Sequence, residues 1–170
     1  MSVKVLFLDV DGVLNGHQQH KNGYCGIDPV KVELLDDIVR GTGCRIVLAS
    51  AWRYMVLGGD MTLKGFGHLL ATYGASQATT AALLDLLPSD RVVNDPNGRG
   101  KLAAEWLYRW KSQLGWHPEN PLVAVALDDG DSSGCDLGYE LMGIPSVRPK
   151  PSVGLTRSEA DRVITLLNGV

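Results

Sequence analysis

The sequence predicts an α/β fold of three layers, with helices covering both faces of a Rossmann-like, mainly parallel sheet. Three observations lead there. Short apolar runs rich in Val, Leu and Ile alternate with stretches whose apolar residues recur at helical spacing. Three of these runs stop abruptly at polar side chains, Asp9, Ser50 and Asp128. Strands that alternate with helices imply right-handed crossovers, and so a parallel sheet. The 170 residues fit one domain over residues 1–170. Such a chain buries roughly 70% of the surface it exposes when unfolded.

Each element has its own signal. Val3–Leu8 is apolar except for Lys4 and ends at Asp9, which marks a buried strand. An irregular loop rich in Gly, Asn, His and Gln follows over 12–26. Asp28-Pro29 is a helix start, Asp as N-cap and Pro at the first helical position. Val30, Leu34, Ile38 and Val39 then recur at helical spacing until Gly41 and Gly43 end the run. Residues 44–49 form a second strand that stops at Ser50. Helices are expected over 63–73 and 80–87, the latter closed by Pro88, and a short strand over 91–94. Gly98-Arg99-Gly100-Lys101 opens an amphipathic helix over 102–114 that carries Trp106 and Trp110 on one face, more simply core than a base-stacking platform. Leu122–Leu127 is the most apolar strand and ends at Asp128-Asp129. A helix over 135–142 stops at Gly143, and 144–147 make a last strand. Thr156 and Glu159 have the spacing of a capping box for a final helix over 159–167. Repeats, low-complexity tracts and linkers are absent.

Composition excludes several classes. Sixteen basic and nineteen acidic residues give a net charge of −3, which argues against a basic protein that coats nucleic acid but leaves room for a local phosphate-binding patch. Cys25, Cys44 and Cys135 are odd in number, far apart and without metal-ligand spacing, so a disulfide framework is not expected. Asp9 cuts the first apolar run too short for a signal peptide. No apolar stretch approaches the ~20 residues that span a bilayer, so no membrane association is expected. The expectation is a soluble, cytoplasmic protein of a reducing compartment.

Ligands of open parallel sheets bind outside the carboxyl ends of the strands, which makes the strand ends the candidate site. Asp9 and Asp11 are two residues apart where the first strand leaves the sheet. On an extended backbone both lean toward one crevice, with Val10 turned away. Asp128 and Asp129 bring further negative charge from another strand. Carboxylates this close do not all stay ionised without compensation, and a hard divalent cation with oxygen ligands provides it. Mg²⁺ suits one or two carboxylates plus a phosphate. One carboxylate facing a phosphate can attack phosphorus and form an aspartyl-phosphate. A second can protonate the leaving oxygen and later deprotonate water. Helix capping is the plainer reading of any single Asp, but DxD and DD ending two apolar strands favour the site.

Ser50 reads equally as a phosphate ligand and as the N-cap of the segment that begins Ala51-Trp52-Arg53. Arg53 offers a forked guanidinium, and a surface ion pair explains it equally well. Residues 98–101 fail the P-loop pattern, which needs Gly at Asp95 and Ser or Thr at Leu102. What remains is a glycine-flanked basic turn opening a helix, a good anion site. There Lys101 is the first candidate to neutralise a transferring phosphoryl group, with Arg99 as its competitor. His17, His20, Lys21, Tyr24 and Cys25 lie in the first loop and read as solvated, and His68 and His117 are assigned nothing.

These signals, in this order, resemble the haloacid dehalogenase (HAD) superfamily of phosphotransferases. The first motif is Val5 to Leu14 around Asp9, Asp11 and Gly12. The second is Ile46-Val-Leu-Ala-Ser50, the third Lys101 opening a helix, and the fourth Val123-Ala-Val-Ala-Leu-Asp128-Asp129. The likeness runs from about residue 3 to 147. It implies Asp9 as nucleophile, Asp11 as acid/base, Ser50 as phosphate ligand and Lys101 as stabilising cation. It also implies that Asp9, the Asp11 backbone carbonyl, Asp128 and Asp129 hold Mg²⁺. Asn15 after the first motif, Ala49-Ser-Ala-Trp-Arg53, Glu105-Trp106-Leu107 and Leu127-Asp-Asp129 further resemble the small Swiss Army Knife RNA-repair group. Its members are associated with nucleic-acid end processing.

Few residues separate Asn15 from Asp28, and the pieces over 53–91 do not form a sheet-bearing insert, so the expected enzyme is capless or minimally capped. It is then a Mg²⁺-dependent phosphomonoester hydrolase working through an aspartyl-phosphate, with DNA or RNA phosphate ends as candidate substrates. A phosphotransferase or phosphomutase of the same fold is the alternative, as is a non-catalytic interaction protein. The last should lack Asp9, Asp11 or a fourth-motif acid, and none is missing. A phosphotransfer receiver would carry its Asp at the end of a middle strand, a place held here by Ser50. Oligomeric state is not legible.

Overall fold

The run Val3–Leu8 forms β1, the middle strand of the sheet, and its alternation decides what packs on each face. Leu6 and Leu8 turn to one side, where Ile46, Leu48, Val125 and Leu127 join them. Val5 and Phe7 turn to the other, with Val47 and Ala126. Both faces are therefore apolar and both must be covered, as in a parallel sheet between two helical layers. The computed structural model describes residues 2–16, 26–88, 97–115, 117–130 and 137–169.

Five strands lie in the order β3-β2-β1-β4-β5, all parallel, with β2 at Arg45–Leu48, β3 at Leu83–Leu86, β4 at Leu122–Leu127 and β5 at Ser146–Val147. The chain first builds outward from β1 through β2 to β3, then crosses to β4 on the other side of β1. That reversal puts a topological switch point between β1 and β4. Register matters as much as order. Leu8 stands opposite both Leu48 and Leu127, so β1, β2 and β4 end level, with Asp9, Ala49 and Asp128 next in each chain.

The first face is covered by α1 (Pro29–Thr42) and α6 (Arg157–Asn168), which pack side by side. Asp28 caps α1 as expected, its carboxylate accepting from the Val30 N–H at 2.9 Å. Gly41 is still helical. The helix is closed by Gly43 alone, whose φ of 66° lets its N–H reach the Val39 carbonyl. The capping box of Thr156 and Glu159 is present at the start of α6. The second face is covered by α5 (Gly98–Trp110), which seats Ala103 and Trp106 on the sheet, with Trp106 edge-on to Phe7.

Between β2 and β3 lie α2 (Arg53–Leu57), α3 (Leu63–Thr72) and α4 (Gln77–Ala82). They contain no strand, so this insert is not a sheet-bearing cap. The expected helix over 80–87 is corrected here. Ser76 caps α4, the helix ends at Ala82, and Leu83–Leu86 pair with β2 as the edge strand. An apolar run of this length fits either structure, and pairing with β2 settles it. The expected helix over 135–142 is replaced, in its described part, by a 3₁₀ turn at Glu140–Met142 closed by Gly143. The strand expected over 91–94, the loop residues His17, His20, Lys21, Tyr24 and Cys25, and Cys135 lie outside the described residues. Among the described residues no helix is long and apolar enough to cross a membrane.

Candidate active site

The ladder carries one residue past the strands. The Asp9 N–H donates to the Leu127 carbonyl at 2.9 Å, and the Asp128 N–H to Val147 at 3.2 Å. These bonds fix the backbone under both carboxylates. Beyond Asp9 the chain turns sharply. The Val10 carbonyl accepts from Leu14, and Gly12 takes φ 74°, where its missing Cβ would collide with the Asp129 carboxylate. Glycine is required there twice over, by conformation and by space.

Asp9, Asp128 and Asp129 converge, each offering a carboxylate oxygen within 4.8 Å of the others. Asp9 is 4% exposed and Asp128 2%. Burial, reinforced by the charge of Asp128, pushes Asp9 up from its ordinary 3.8 to about 8, although Arg99 works against the shift. Burial likewise raises Asp129 to about 6, part of the effect being offset by a hydrogen bond shared with Asp9. The Asp128 carboxylate is held firmly. Its Oδ1 accepts from the Gly130 N–H at 3.0 Å, and its Oδ2 from the Tyr139 hydroxyl at 3.2 Å and from Arg99 Nη1 at 2.6 Å. Burial raises the Tyr139 hydroxyl well above its ordinary value, so it remains a donor.

Among the described residues, Arg99 is a cation that meets the acids. Its Nη1 lies 3.5 Å from Asp9 as well as 2.6 Å from Asp128. Burial opposes its charge, but Asp128 and Asp9 outweigh that and hold the guanidinium more firmly protonated. Gly100 makes the approach possible. Its N–H donates to the Leu137 carbonyl at 3.0 Å, and a Cβ on it would strike the backbone of Gly138. Lys101, the first choice from sequence, is exposed on α5 two residues further on.

The remaining expected residues fall in two places. The Asp11 carboxylate stands apart from the acidic cluster. Its Oδ1 accepts from Asn15 Nδ2 at 3.1 Å and its Oδ2 from Trp52 Nε1 at 3.0 Å. The described acidic cluster comprises Asp9, Asp128 and Asp129, without the Asp11 side chain. Ser50 is buried at the end of β2, and its Oγ accepts from the Trp52 N–H at 3.3 Å. Arg53 departs from its expected place as a phosphate fork. It is 1% exposed, with Nη1 donating to the Ala49 and Ser50 carbonyls at 2.8 and 2.9 Å and Nη2 to the Tyr54 hydroxyl at 3.0 Å. One guanidinium nitrogen satisfies both carbonyls, so Arg53 braces the turn that carries Ser50. Asn15 and Trp52 carried the resemblance in sequence but were given no role, and Tyr139 was missed; all three contact the acids. The signals for Trp52 were its place in the Ala49-Ser-Ala-Trp-Arg53 run and its position two residues after Ser50.

Three carboxylates with oxygen donors only, two of them buried, suit a hard divalent cation, and the cost of keeping them all ionised without one is visible in the raised Asp9 and Asp129. A family model, the HAD domain in Swiss Army Knife RNA repair proteins, matches residues 5–160. No curated protein and no solved structure matches the chain significantly.

Proposed function

The chain belongs to the family of HAD domains in Swiss Army Knife RNA repair proteins, and on that premise we propose that it is a Mg²⁺-dependent phosphomonoester hydrolase acting on nucleic-acid phosphate ends. The observation that carries this reading is the convergence of Asp9, Asp128 and Asp129 at the switch point between β1 and β4, with Arg99 against them. The family's printed description as RNA repair proteins supports the choice of substrate.

Asp9, Asp128, Asp129 and the Asp11 backbone carbonyl would hold the cation. When bound it would supply charge neutralisation at the phosphoryl oxygens and let Asp9 ionise at neutral pH. An Asp9 oxygen attacks phosphorus as the bond to the leaving oxygen breaks, giving an aspartyl-phosphate. Asp11 delivers its proton to that leaving oxygen. A water then attacks phosphorus, Asp11 takes the proton back, and the bond to Asp9 breaks to release phosphate. Arg99 faces the charge that develops on the phosphoryl group. Ser50, at the level end of β2, offers its hydroxyl to a phosphate oxygen.

The test is release of phosphate from an aryl phosphate and from 5′- and 3′-phosphorylated DNA and RNA, with and without Mg²⁺. Asp9→Asn is nearly isosteric and a poor nucleophile, so it should reduce turnover to background with the fold intact. Substantial turnover in that variant would reject covalent catalysis by Asp9. With polynucleotide substrates KM should rise steeply with salt. A flat salt response would assign the site to a small phosphate ester instead.

A further inference from the structure

Asp11 needs an anchor that the sheet does not provide. It sits beyond the last ladder hydrogen bond, next to the left-handed Gly12, and is only half-buried. A short carboxylate so placed has several staggered rotamers open to it. Two donors remove that freedom. Asn15 is 1% exposed, its Oδ1 accepts from the Gly12 N–H at 2.8 Å, and its Nδ2 donates to Asp11 Oδ1. This contact is local, four residues along the same turn.

The second donor comes from 41 residues away. Trp52 Nε1 reaches Asp11 Oδ2 at 3.0 Å, while the Trp52 backbone N–H donates to Ser50 Oγ. Its ring meets buried Phe66 of α3 edge-on, at 6.1 Å between centroids and 64° between planes. Trp52 is therefore held at three points: its backbone by Ser50, and its indole by Phe66 and by Asp11. Each carboxylate oxygen has two lone-pair sites, so one donor on each leaves one site per oxygen for a proton in transit.

We propose that Trp52 is the positioning residue of this active site, its indole N–H setting the orientation in which the Asp11 carboxyl meets the leaving oxygen. The inference rests on Asp11 being the acid/base. It assigns Trp52 no contact with substrate. Its role is to tie the loop after β1 to the turn after β2, so that the proton donor and the Ser50 hydroxyl keep a constant relation. The proton concerned passes from Asp11 to the leaving oxygen as the Asp9–phosphorus bond forms and the phosphorus–leaving-oxygen bond breaks. Asp11 regains it from water in the second step.

A positioning role predicts a dependence on leaving group that a purely structural role does not. A leaving oxygen of low basicity departs without much help, whereas an alkoxide needs the proton. Trp52→Phe keeps an aromatic ring against Phe66 while it removes the donor and part of the indole's bulk, and Phe66→Leu controls for the packing. We expect kcat/KM of Trp52→Phe to fall roughly tenfold or more with alkyl or nucleotide phosphates, and less than about threefold with 4-nitrophenyl phosphate, a part of the effect available to general acid catalysis. Asp11→Asn should show the same trend more strongly. Phe66→Leu, which loosens the packing but keeps the N–H, should lower all substrates alike. A uniform loss in Trp52→Phe, or none, overturns the proposal.

A second measurement does not depend on turnover. The chain has four tryptophans, and the Trp52 indole N–H can be assigned among their four ¹H–¹⁵N resonances. Asp11→Asn should move that resonance and leave the others in place. An unmoved resonance overturns the proposal even where Trp52→Phe fails to fold. Full activity in Asp9→Asn would instead overturn the phosphatase reading while the resonance still reports the contact.

Discussion

Raising the pH of the metal-free protein should weaken it, and divalent metal should abolish the effect. Asp9 is held near 8 in the folded chain by burial and by Asp128, against 3.8 when unfolded. Between these values the native state keeps a proton that the unfolded chain has lost, so stability falls as pH rises. The slope is about 1.4 kcal/mol per pH unit, which makes roughly 4 kcal/mol from pH 5 to pH 8 an upper bound for Asp9 alone. Asp129, raised to about 6, steepens the acid end of that window. A cation bound by these carboxylates takes the place of the proton, so Mg²⁺ affinity should tighten by up to about tenfold per pH unit between 6 and 8. The assay is chemical denaturation at half-unit steps from pH 5 to 8.5, with chelator and with Mg²⁺. Stability should decline with chelator and stay level or rise with Mg²⁺, and Asp9→Asn should flatten the chelator series. A level chelator series in the wild type, or equal stabilisation by Mg²⁺ at both ends of the range, would refute the reasoning.

Two further perturbations separate the parts of the site. Gly12→Ala meets both a left-handed φ of 74° and the Asp129 carboxylate, so it should cost about 1–2 kcal/mol of stability and a larger share of Mg²⁺ affinity, measured by denaturation and by metal titration. Equal metal affinity would mean that Asp129 is not a ligand. Arg99→Ala removes the 2.6 Å partner of Asp128 and should lower kcat/KM by about 10²-fold or more, whereas Lys101→Ala should stay within about threefold. The reverse order would return the cation's role to Lys101.

Much of this architecture was legible because its signals are local. β1 and β4 were marked by apolar runs with acids at their ends, α1 by Asp28-Pro29, and α6 by the Thr156–Glu159 pair. β3 was not, since Leu83, Leu84 and Leu86 satisfy a buried helix as well as an edge strand until β2 is there to pair with them. The site divides along the same line. Convergence of Asp9 with Asp128 and Asp129 follows from strand order, which the motifs imply. Whether Arg99 or Lys101 faces the acids depends on how α5 is rotated, and that is set by contact between Gly100 and Gly138, far apart in sequence. The burial of Arg53 was not legible because the carbonyls it satisfies exist as a set of acceptors only once β2 has ended and the chain has turned.

That glycine contact has a consequence for how the protein can change. The cation helix is registered by main chain against main chain, where no side chain can be exchanged for another of different bulk. Its inner face seats Ala103 on the sheet one turn beyond Arg99 and Trp106 about two turns beyond. A change at Trp106 can be absorbed toward the far end of α5 while the first turn stays pinned, whereas one at Ala103 presses directly beside that turn. Tolerance to change beneath the helix is thus confined to its far end, and the position of the guanidinium is set through two residues that have no side chains to mutate gradually.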